Sequence, residues 1–503
     1  MNKVNIRFNA AICKIEGLNP DIVEAIKYRL KVEITEERYQ DYKNKTRLPI
    51  TKEGANYYLV EEFDKHIQIP TGLLAKVYPY LKDQVKVNIN LHKQIEITKL
   101  DRKPYSATLR EDQKQCVDKY IKHKRGILKA YTRFGKTFCI ANFVNQFDNS
   151  VNRLIVVPGI SPMYQMREDL SKVLNLSLES IGLIGDGNFN IQPITVAIPD
   201  TLSFRLLNLD SKVASYLQSV KVVCFDEIHD HNNPTSVILS DYLTEAEYKV
   251  GCSATPYTAP FLILEAITGE VLLEFKEQDG IDNQVIDAPE IIFNKFNHTV
   301  NLNNKLANFK FDSGNFGGKE ASIFNQLKNQ VICLNTPRNE LGVNLILKRL
   351  NQGRIVLVLV DRVGTTGGVN HAQIIRDMLL AKGVDLPIVD GNTKDRQYYY
   401  DLLESKQLKG IIGSAGILTQ AITIKAISSL VLLCAGSEKK ALYDNKQVKS
   451  IVQRIGRTLT KEKGKPRPTI DDIYDCQHVF ASQAESRLKA AVSAYGKENV
   501  KVL

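Results

Sequence analysis

The chain has 503 residues, enough for about three domains at roughly 150 residues each, and 43% of them are apolar against 24% charged. That balance excludes a disordered tail and a disulfide-stapled miniprotein. It leaves a globular chain with sizeable cores. Lys and Arg number 67 against 56 Asp and Glu, a net charge of +11 that suits a polyanionic partner without requiring one.

The distribution of charge says more than its sum. Seven basic residues and no acid lie between Lys119 and Lys136, and ten basic residues face three acidic ones from Glu438 to Arg467. Such clusters serve either as nucleic-acid contacts or as solvated faces. No apolar run approaches the 18 or so residues of a membrane helix, and the opening MNKVNIRFNA has no apolar stretch of the secretory kind. The expectation is a cytoplasmic protein with no membrane association. The eight cysteines are scattered, with no CxxC and no His/Cys cluster at zinc spacing, which points to a reducing compartment and no structural metal.

In chain order, residues 1–100 read as a small α+β accessory domain. Val4, Ile6 and Phe8 alternate as in a half-buried strand, and Asn19-Pro20 opens a helix through Leu30. The polar run Glu36–Lys52 reads as a long loop or an exposed hairpin. Scaffold or docking domain and accessory nucleic-acid surface both remain open for this segment. From 101 onward, short β-branched strands alternate with amphipathic helices, the texture of a parallel sheet covered on both faces. Strands are expected at Gly126–Ala130, Arg153–Val157, Ile194–Ala197, Val220–Phe225 and Tyr248–Cys252. After a polar stretch at Lys276–Asp282, a second set follows at Ile355–Val360, Ile388–Asp390, Gly410–Gly413 and Ser429–Leu433. The fold class is therefore α/β, with tandem parallel-sheet domains at 101–275 and 276–503.

The strand at Ile127–Leu128 runs into Ala130-Tyr-Thr-Arg133-Phe134-Gly135-Lys136-Thr137 and then into a helical run, Phe138–Phe147. Strand, loop and helix in that order form a phosphate-binding loop, in which backbone N–H groups and the positive helix N-terminus hold phosphates. Lys136 is placed to reach the β- and γ-phosphates of ATP, and the Thr137 hydroxyl to ligate Mg²⁺. Two positions are irregular: Ala130 stands where a glycine is usual, and Arg133 where a small residue is commoner.

Ninety residues after Lys136, the apolar strand Val220–Phe225 ends in Asp226-Glu227-Ile-His229. Hydrolysis of a nucleoside triphosphate needs one acid to hold Mg²⁺ and a second to orient or deprotonate the attacking water. Asp226 suits the first task and Glu227 the second. A histidine such as His229, taken alone, reads as a structural residue.

The ordered set of GKT, Asp226–His229 and then Ser253-Ala254-Thr255 resembles the superfamily two helicases of the DExH type. Leu109-Arg-Glu-Asp-Gln113 is similar to their glutamine motif, Ile155-Val-Val-Pro158-Gly159 to motif Ia and Ile194–Leu202 to motif Ib. Further on, Ile355–Asp361, Gly413–Lys425 and Gln453-Arg454-Ile-Gly-Arg457 are similar to motifs IV, V and VI. The resemblance covers about 101–475 and implies two RecA-like domains with ATP and Mg²⁺ as cofactors. It implies that Gln113 reads adenine, that Arg457 reaches the γ-phosphate with Gln453 and Arg454 beside it, and that Ser253, Thr255 and His229 couple hydrolysis to motion. Pro158, Gly159, Thr201, Asp361, Ser414 and Thr419 are then expected at the nucleic-acid backbone.

A narrower likeness, carried by Ile184–Asn190, Ala415–Gly436 and Val452–Lys465, is to the phage UvsW-type helicases. It implies branch migration and fork regression on branched DNA, such as Holliday junctions and replication forks, in recombination and repair in the infected cell. Thr460 stands where motif VI often has a second arginine, and Ala421 where motif V usually has a glycine. A duplex translocase that separates no strands, an RNA helicase and a non-catalytic DNA-binding scaffold remain alternatives. No tryptophan is present for base stacking, and Tyr398-Tyr399-Tyr400 reads as packing between helix and sheet ahead of a strand-separating pin.

Overall fold

The computed structural model describes residues 3–91, 109–257, 260–309, 319–363, 368–390, 393–414, 424–435, 451–456, 458–462 and 464–503. Two compact units emerge: residues 1–275 without Tyr131–Phe134, and Lys276–Leu503 together with that short loop.

The first unit begins with the expected alternating strand, observed as Lys3–Phe8 with Val4 and Ile6 fully buried. It lies in a five-stranded sheet ordered Glu61–Phe63, His66–Pro70, Ile12–Glu16, Lys3–Phe8, Lys86–Leu91; a three-stranded sheet (Lys31–Val32, Asn56–Tyr58, Thr51–Glu53) accompanies it. The helix opened by Pro20 runs to Arg29, and the Asn19 side chain accepts from the Ile22 N–H at 2.9 Å as its N-cap. The loop or hairpin expected at Glu36–Lys52 is instead a helix over Glu36–Lys45, capped by the Thr35 hydroxyl. Periodicity could not reveal it, because Tyr42 is its one buried residue and the rest of its surface is polar.

The apolar residues of this segment do not close a core of their own. Ile69, Leu73 and Val77 belong to one cluster with Ile263, Leu264 and Ile267, and Gly72 sits against the Glu265 carbonyl where a Cβ would collide with backbone. The sheet that follows has eight strands, ordered Asn188–Asn190, Ile181–Gly185, Ile194–Ala197, Asn152–Val156, Val220–Phe225, Tyr248–Ser253, Arg125–Ala130, Val271–Phe275. All of its pairings are parallel except the Ile181–Asn190 hairpin. The five strands expected from sequence are all present within a residue of their ends.

The second unit holds a seven-stranded, fully parallel sheet, ordered Ile388–Val389, Gly410–Ser414, Val356–Val360, Ser429–Leu432, Thr469–Asp475, Glu290–Phe296, Val500–Val502. The polar stretch at 276–282 is largely a short helix, Glu277–Asp282. Thr469–Asp475 was not apparent as a strand, because three of its seven residues are aspartates. The fold neutralises each with a guanidinium. Arg349 grips Asp471 (2.6 and 2.9 Å), Arg487 grips Asp472 (2.8 and 2.7 Å) and Arg338 grips Asp475 (2.7 and 2.9 Å), all as two-pronged pairs. All six side chains are buried, so each pair is shielded from water and geometrically fixed.

Breaking one such pair strands a buried charge, which costs about 3–5 kcal/mol, whereas replacing both partners with apolar groups is far milder. Asp472→Ala is expected to lower the thermal midpoint of the second unit sharply, and adding Arg487→Leu to recover much of the loss. Calorimetry on both variants checks this; equal destabilisation by single and double variants would contradict it.

Candidate active site

In the first unit the functional candidates gather where the parallel strands end. Ala130, Val156, Ala197, Phe225 and Ser253 are the last residues of five neighbouring strands, and the loops after them carry the site. The carboxyl edge of an open parallel sheet is where such folds bind ligands, since the strand ends and helix N-termini converge there.

The loop after Ala130 leads into the helix Lys136–Val144. Ala130 itself is fully buried at the end of its strand, so its methyl belongs to the sheet packing. Arg133 (φ +80°) and Gly135 (φ +90°) are both left-handed, and between them the Phe134 N–H closes a turn onto the Tyr131 carbonyl at 3.2 Å. Gly135 has a φ that residues with a Cβ rarely adopt, and a Cβ there would lie 2.5 Å from Gln113 Nε2 and displace the glutamine's end. Gln113 is buried, and its Oε1 accepts from the Arg110 N–H at 3.0 Å. The glutamine therefore packs against the phosphate loop and caps its own helix. Phe134 folds its ring edge-on to Tyr131, and Thr137 is half-buried on the first turn of the helix.

Lys136 Nζ lies 3.3 Å from Glu227 Oε1. Burial works against the ammonium, but Glu227 and Asp226 outweigh it and hold the lysine above its ordinary range. Burial followed by the adjacent Glu227 charge pushes the Asp226 carboxyl up, while Cys252 Sγ donates to its Oδ1 at 3.4 Å. Burial opposes ionisation of Glu227 too, yet Lys136 and His229 prevail and keep it well below the usual carboxylate range. Two neighbouring carboxylates thus have unlike proton affinities. Glu227 also sits at φ +46°, ψ +54°, a left-handed conformation that costs a non-glycine residue about 1–3 kcal/mol and survives only where its surroundings enforce it.

His229 Nδ1 is 2.7 Å from Ser253 Oγ and 3.2 Å from Glu227 Oε2, and the Thr255 N–H donates to the same Ser253 oxygen at 2.9 Å. The four residues form one polar chain from the acidic loop to the loop after Ser253. His231, which sequence reading passed over, completes the arrangement. Its Nε2 faces the Asp226 carbonyl at 3.0 Å and its Nδ1 the Ser236 hydroxyl at 3.0 Å. A carbonyl only accepts, so Nε2 carries the proton and Nδ1 accepts from serine. Burial lowers this imidazole to about 4 and keeps it neutral. The sequence signal, a second histidine two residues after the first, was present but had no period to mark it.

Pro158, Gly159 and Thr201 are half-buried at the same sheet edge; Gly159 precedes the helix Ile160–Leu174, and Thr201 lies in the first turn of Pro199–Leu207. In the second unit, Ser414 ends its strand half-buried. Asp361 does not fit a phosphate contact. Its carboxylate takes Lys328 Nζ at 2.6 Å and the Ala435 N–H at 2.8 Å, and burial is outweighed by Lys328 so that it stays ionised. A buried anion with both oxygens engaged repels phosphate; its role is to join strand ends. Arg454 is buried with Nη1 donating to Cys434 Sγ at 3.5 Å. Thr460 forms an isolated bridge with Ile286, and its carbonyl accepts from Lys465 Nζ at 2.9 Å. Arg457, Thr419, Ala421, residues 364–367 and the side chain of Gln453 lie outside the described residues. Of the tyrosine run, Tyr400 is buried and Tyr398 is 55% exposed.

Residues 106–258 match the family model described as type III restriction enzyme, res subunit, a span that contains every part of this site from Gln113 to Thr255. The DNA 3'-5' translocase XPB2 of Sulfurisphaera tokodaii is 31% identical over 173 residues, covering 33% of this chain and 36% of that protein. The chain thus matches about a third of the length of this curated relative. Among solved structures, the ATP-dependent type ISP restriction-modification enzyme LlaBIII bound to DNA aligns with a TM-score of 0.54 at 11% identity, over 85% of this chain and 34% of that one. Dbp5 of S. cerevisiae bound to RNA and ADP BeF3 aligns at 0.51 and 16% identity, over 78% and 89%. The fold is α/β with RecA-like parallel-sheet domains. UvsW of bacteriophage T4 aligns over 100% of this chain and 99% of its own at 16% identity and a TM-score of 0.39. Among the described residues no helix is long and apolar enough to cross a membrane, and no cluster of His, Cys, Asp and Glu is disposed to hold a metal.

The donor set fits a nucleoside triphosphate with a divalent cation. The left-handed loop and helix N-terminus offer N–H groups, Lys136 a cation, and Asp226 with Thr137 the hard oxygens that magnesium prefers.

The neutral state of His231 has a pH consequence. Its folded pKa is depressed from 6.5 to about 4, so the unfolded chain binds a proton that the folded one refuses between those values. That residue's penalty is absent above pH 6.5 and grows as pH falls toward 4. His231→Gln is expected to lose stability less steeply than the parent over this window. Denaturant melts at pH 7, 5.5 and 4.5 measure it, and parallel pH profiles would count against a buried neutral imidazole.

Proposed function

We propose that the chain is an ATP-driven helicase or translocase of superfamily two, of the DExH type, acting on DNA. The observation that carries this reading is the cluster of Lys136, Asp226, Glu227, His229 and Ser253 on one sheet edge, within the span matched by the family model. In it, Lys136 and the loop N–H groups would hold the β- and γ-phosphates, and Thr137 and Asp226 would hold Mg²⁺. When bound, the cation neutralises charge on the phosphates. Glu227, ionised and held by Lys136 and His229, orients the attacking water by accepting a hydrogen bond from it. His229, Ser253 and Thr255 connect this carboxylate to the next strand, so a change at Glu227 reaches the loop after Ser253 without a covalent intermediary.

The resemblance assigns Arg457 to the γ-phosphate, with Gln453 and Arg454 beside it. Pro158, Gly159, Thr201 and Ser414, at strand ends and helix starts, suit contacts to the phosphate backbone, which carry no sequence information and weaken with salt. Branched or forked DNA, processed during phage recombination, replication and repair, is the substrate we favour, supported by the UvsW-like phrases at 184–190, 415–436 and 452–465. A duplex translocase that separates no strands is the second reading. It is favoured by the match to a protein named a DNA 3'-5' translocase.

ATP hydrolysis is expected to rise most with a four-way junction or fork, less with linear duplex, and least with RNA. Lys136→Ala is expected to lower it by at least about a hundredfold, since one preorganised charge contact is worth 10²–10³ in turnover. Phosphate-release assays with each nucleic acid check this. Strand displacement on forked and linear duplexes then separates the two readings, and stimulation by RNA alone would overturn both.

A further inference from the structure

We infer that the helix Glu36–Lys45 is part of the hydrolytic apparatus: Arg38 and Tyr42 are positioning residues that hold the acidic loop Asp226–Asn233 by its far end. This rests on the ATPase reading above. Tyr42 is fully buried, and its hydroxyl donates to the Asn232 carbonyl at 2.6 Å. Arg38 Nη2 donates to the same oxygen at 2.9 Å. Two side chains one helical turn apart thus fill both lone pairs of a single carbonyl from a segment 190 residues away in sequence. Burial pushes the tyrosine up to about 12, so its proton stays available to donate.

The gripped carbonyl is well placed for control. Asn232 follows His231, whose ring fixes the Asp226 carbonyl, and it precedes Asn233, whose side chain accepts from the Ser236 N–H at 2.9 Å and caps the helix Pro234–Tyr242. The loop therefore has fixed points at 226, 231 and 232. Glu227 lies between them in its left-handed conformation, with only the turn Ile228–Asp230 intervening. The same N-terminal segment secures the far end of the capped helix, where the Arg47 N–H donates to Asp241 Oδ2 at 2.7 Å and the Ala10 N–H to the Thr244 carbonyl at 3.1 Å. These bonds link residues of the first 91 to the chain that bears Asp226 and Glu227, and all but the one to Asp241 end on backbone carbonyls, where they set position and leave the two acids' side chains alone.

The test compares the full-length protein with Tyr42→Phe, Arg38→Gln and the double variant, using Lys45→Ala on the exposed end of the same helix as control. DNA-stimulated ATPase kinetics, thermal unfolding and hydrogen exchange at residues 226–233 are measured together. The double variant is expected to lose about tenfold in kcat, the equivalent of about 1.4 kcal/mol. Its KM for ATP is expected to stay within about twofold, its melting to change little, and exchange to rise within 226–233; Lys45→Ala is expected to match the parent. Unchanged kcat, a rise in KM alone, or exchange that rises evenly through the unit would overturn the inference. If the parent protein hydrolyses no ATP, the ATPase reading fails separately. The exchange measurement then still decides whether Arg38 and Tyr42 hold the loop, and unaltered protection at 226–233 sinks it.

Discussion

Two carboxylates at consecutive positions, beside one lysine 3.3 Å from the second of them, are the constraint on which the site depends. Like charges this close cannot share one environment comfortably, and the fold gives them different ones. Burial and the adjacent Glu227 charge raise the affinity of Asp226 for protons; burial acts on Glu227 too, but Lys136 and His229 outweigh it and lower its affinity. With Lys136 and His229 beside it Glu227 stays charged, and a cation at Asp226 would favour the charged form of that carboxylate as well. The left-handed backbone at Glu227 is what turns its carboxylate toward the lysine and the histidine, and the surrounding bonds to Asp226, His231 and Asn232 keep it there.

The second unit solves a related problem with different means. Its strand Thr469–Asp475 carries three aspartates into a buried sheet, a placement that isolated charges do not survive. Arginine, with a planar fork that matches a carboxylate, satisfies each one from a helix packed on the sheet. The Lys328–Asp361 pair acts similarly where two strands end. These interactions fix which helix faces which strand. They also explain why acidic residues in this unit are poor guides to its binding surface.

The strand–loop–helix around Gly135 and the acidic strand end were legible because each depends on local chemistry: a glycine that must adopt positive φ, a lysine at a helix start, an apolar run closed by two acids. The parallel-sheet texture was legible for the same reason, since strands buried on both faces read as continuous β-branched runs. The helix Glu36–Lys45 and the strand Thr469–Asp475 were not, because their apolar or charged character is balanced only by partners far away in the chain. Gln113 stands out in its motif, but its contacts, a cap at Arg110 and the close approach to Gly135, belong to the tertiary structure. His231 and the pair Arg38 and Tyr42 carry no local mark at all.

The sequence by itself determined the fold class and placed the Gly135–Lys136 loop and the adjacent acids Asp226 and Glu227 at strand ends, because these follow from spacing along one or two neighbouring elements. Only the tertiary structure decided that the first 91 residues share a core with the sheet bearing the site, that Asp361 is a buried joint between strands, and that a distant helix grips the carbonyl of Asn232. Local patterns record what a residue must do within its own helix or strand. They hold no information about which remote group arrives to satisfy a buried charge or carbonyl, and here that arrival holds the loop that carries Asp226 and Glu227.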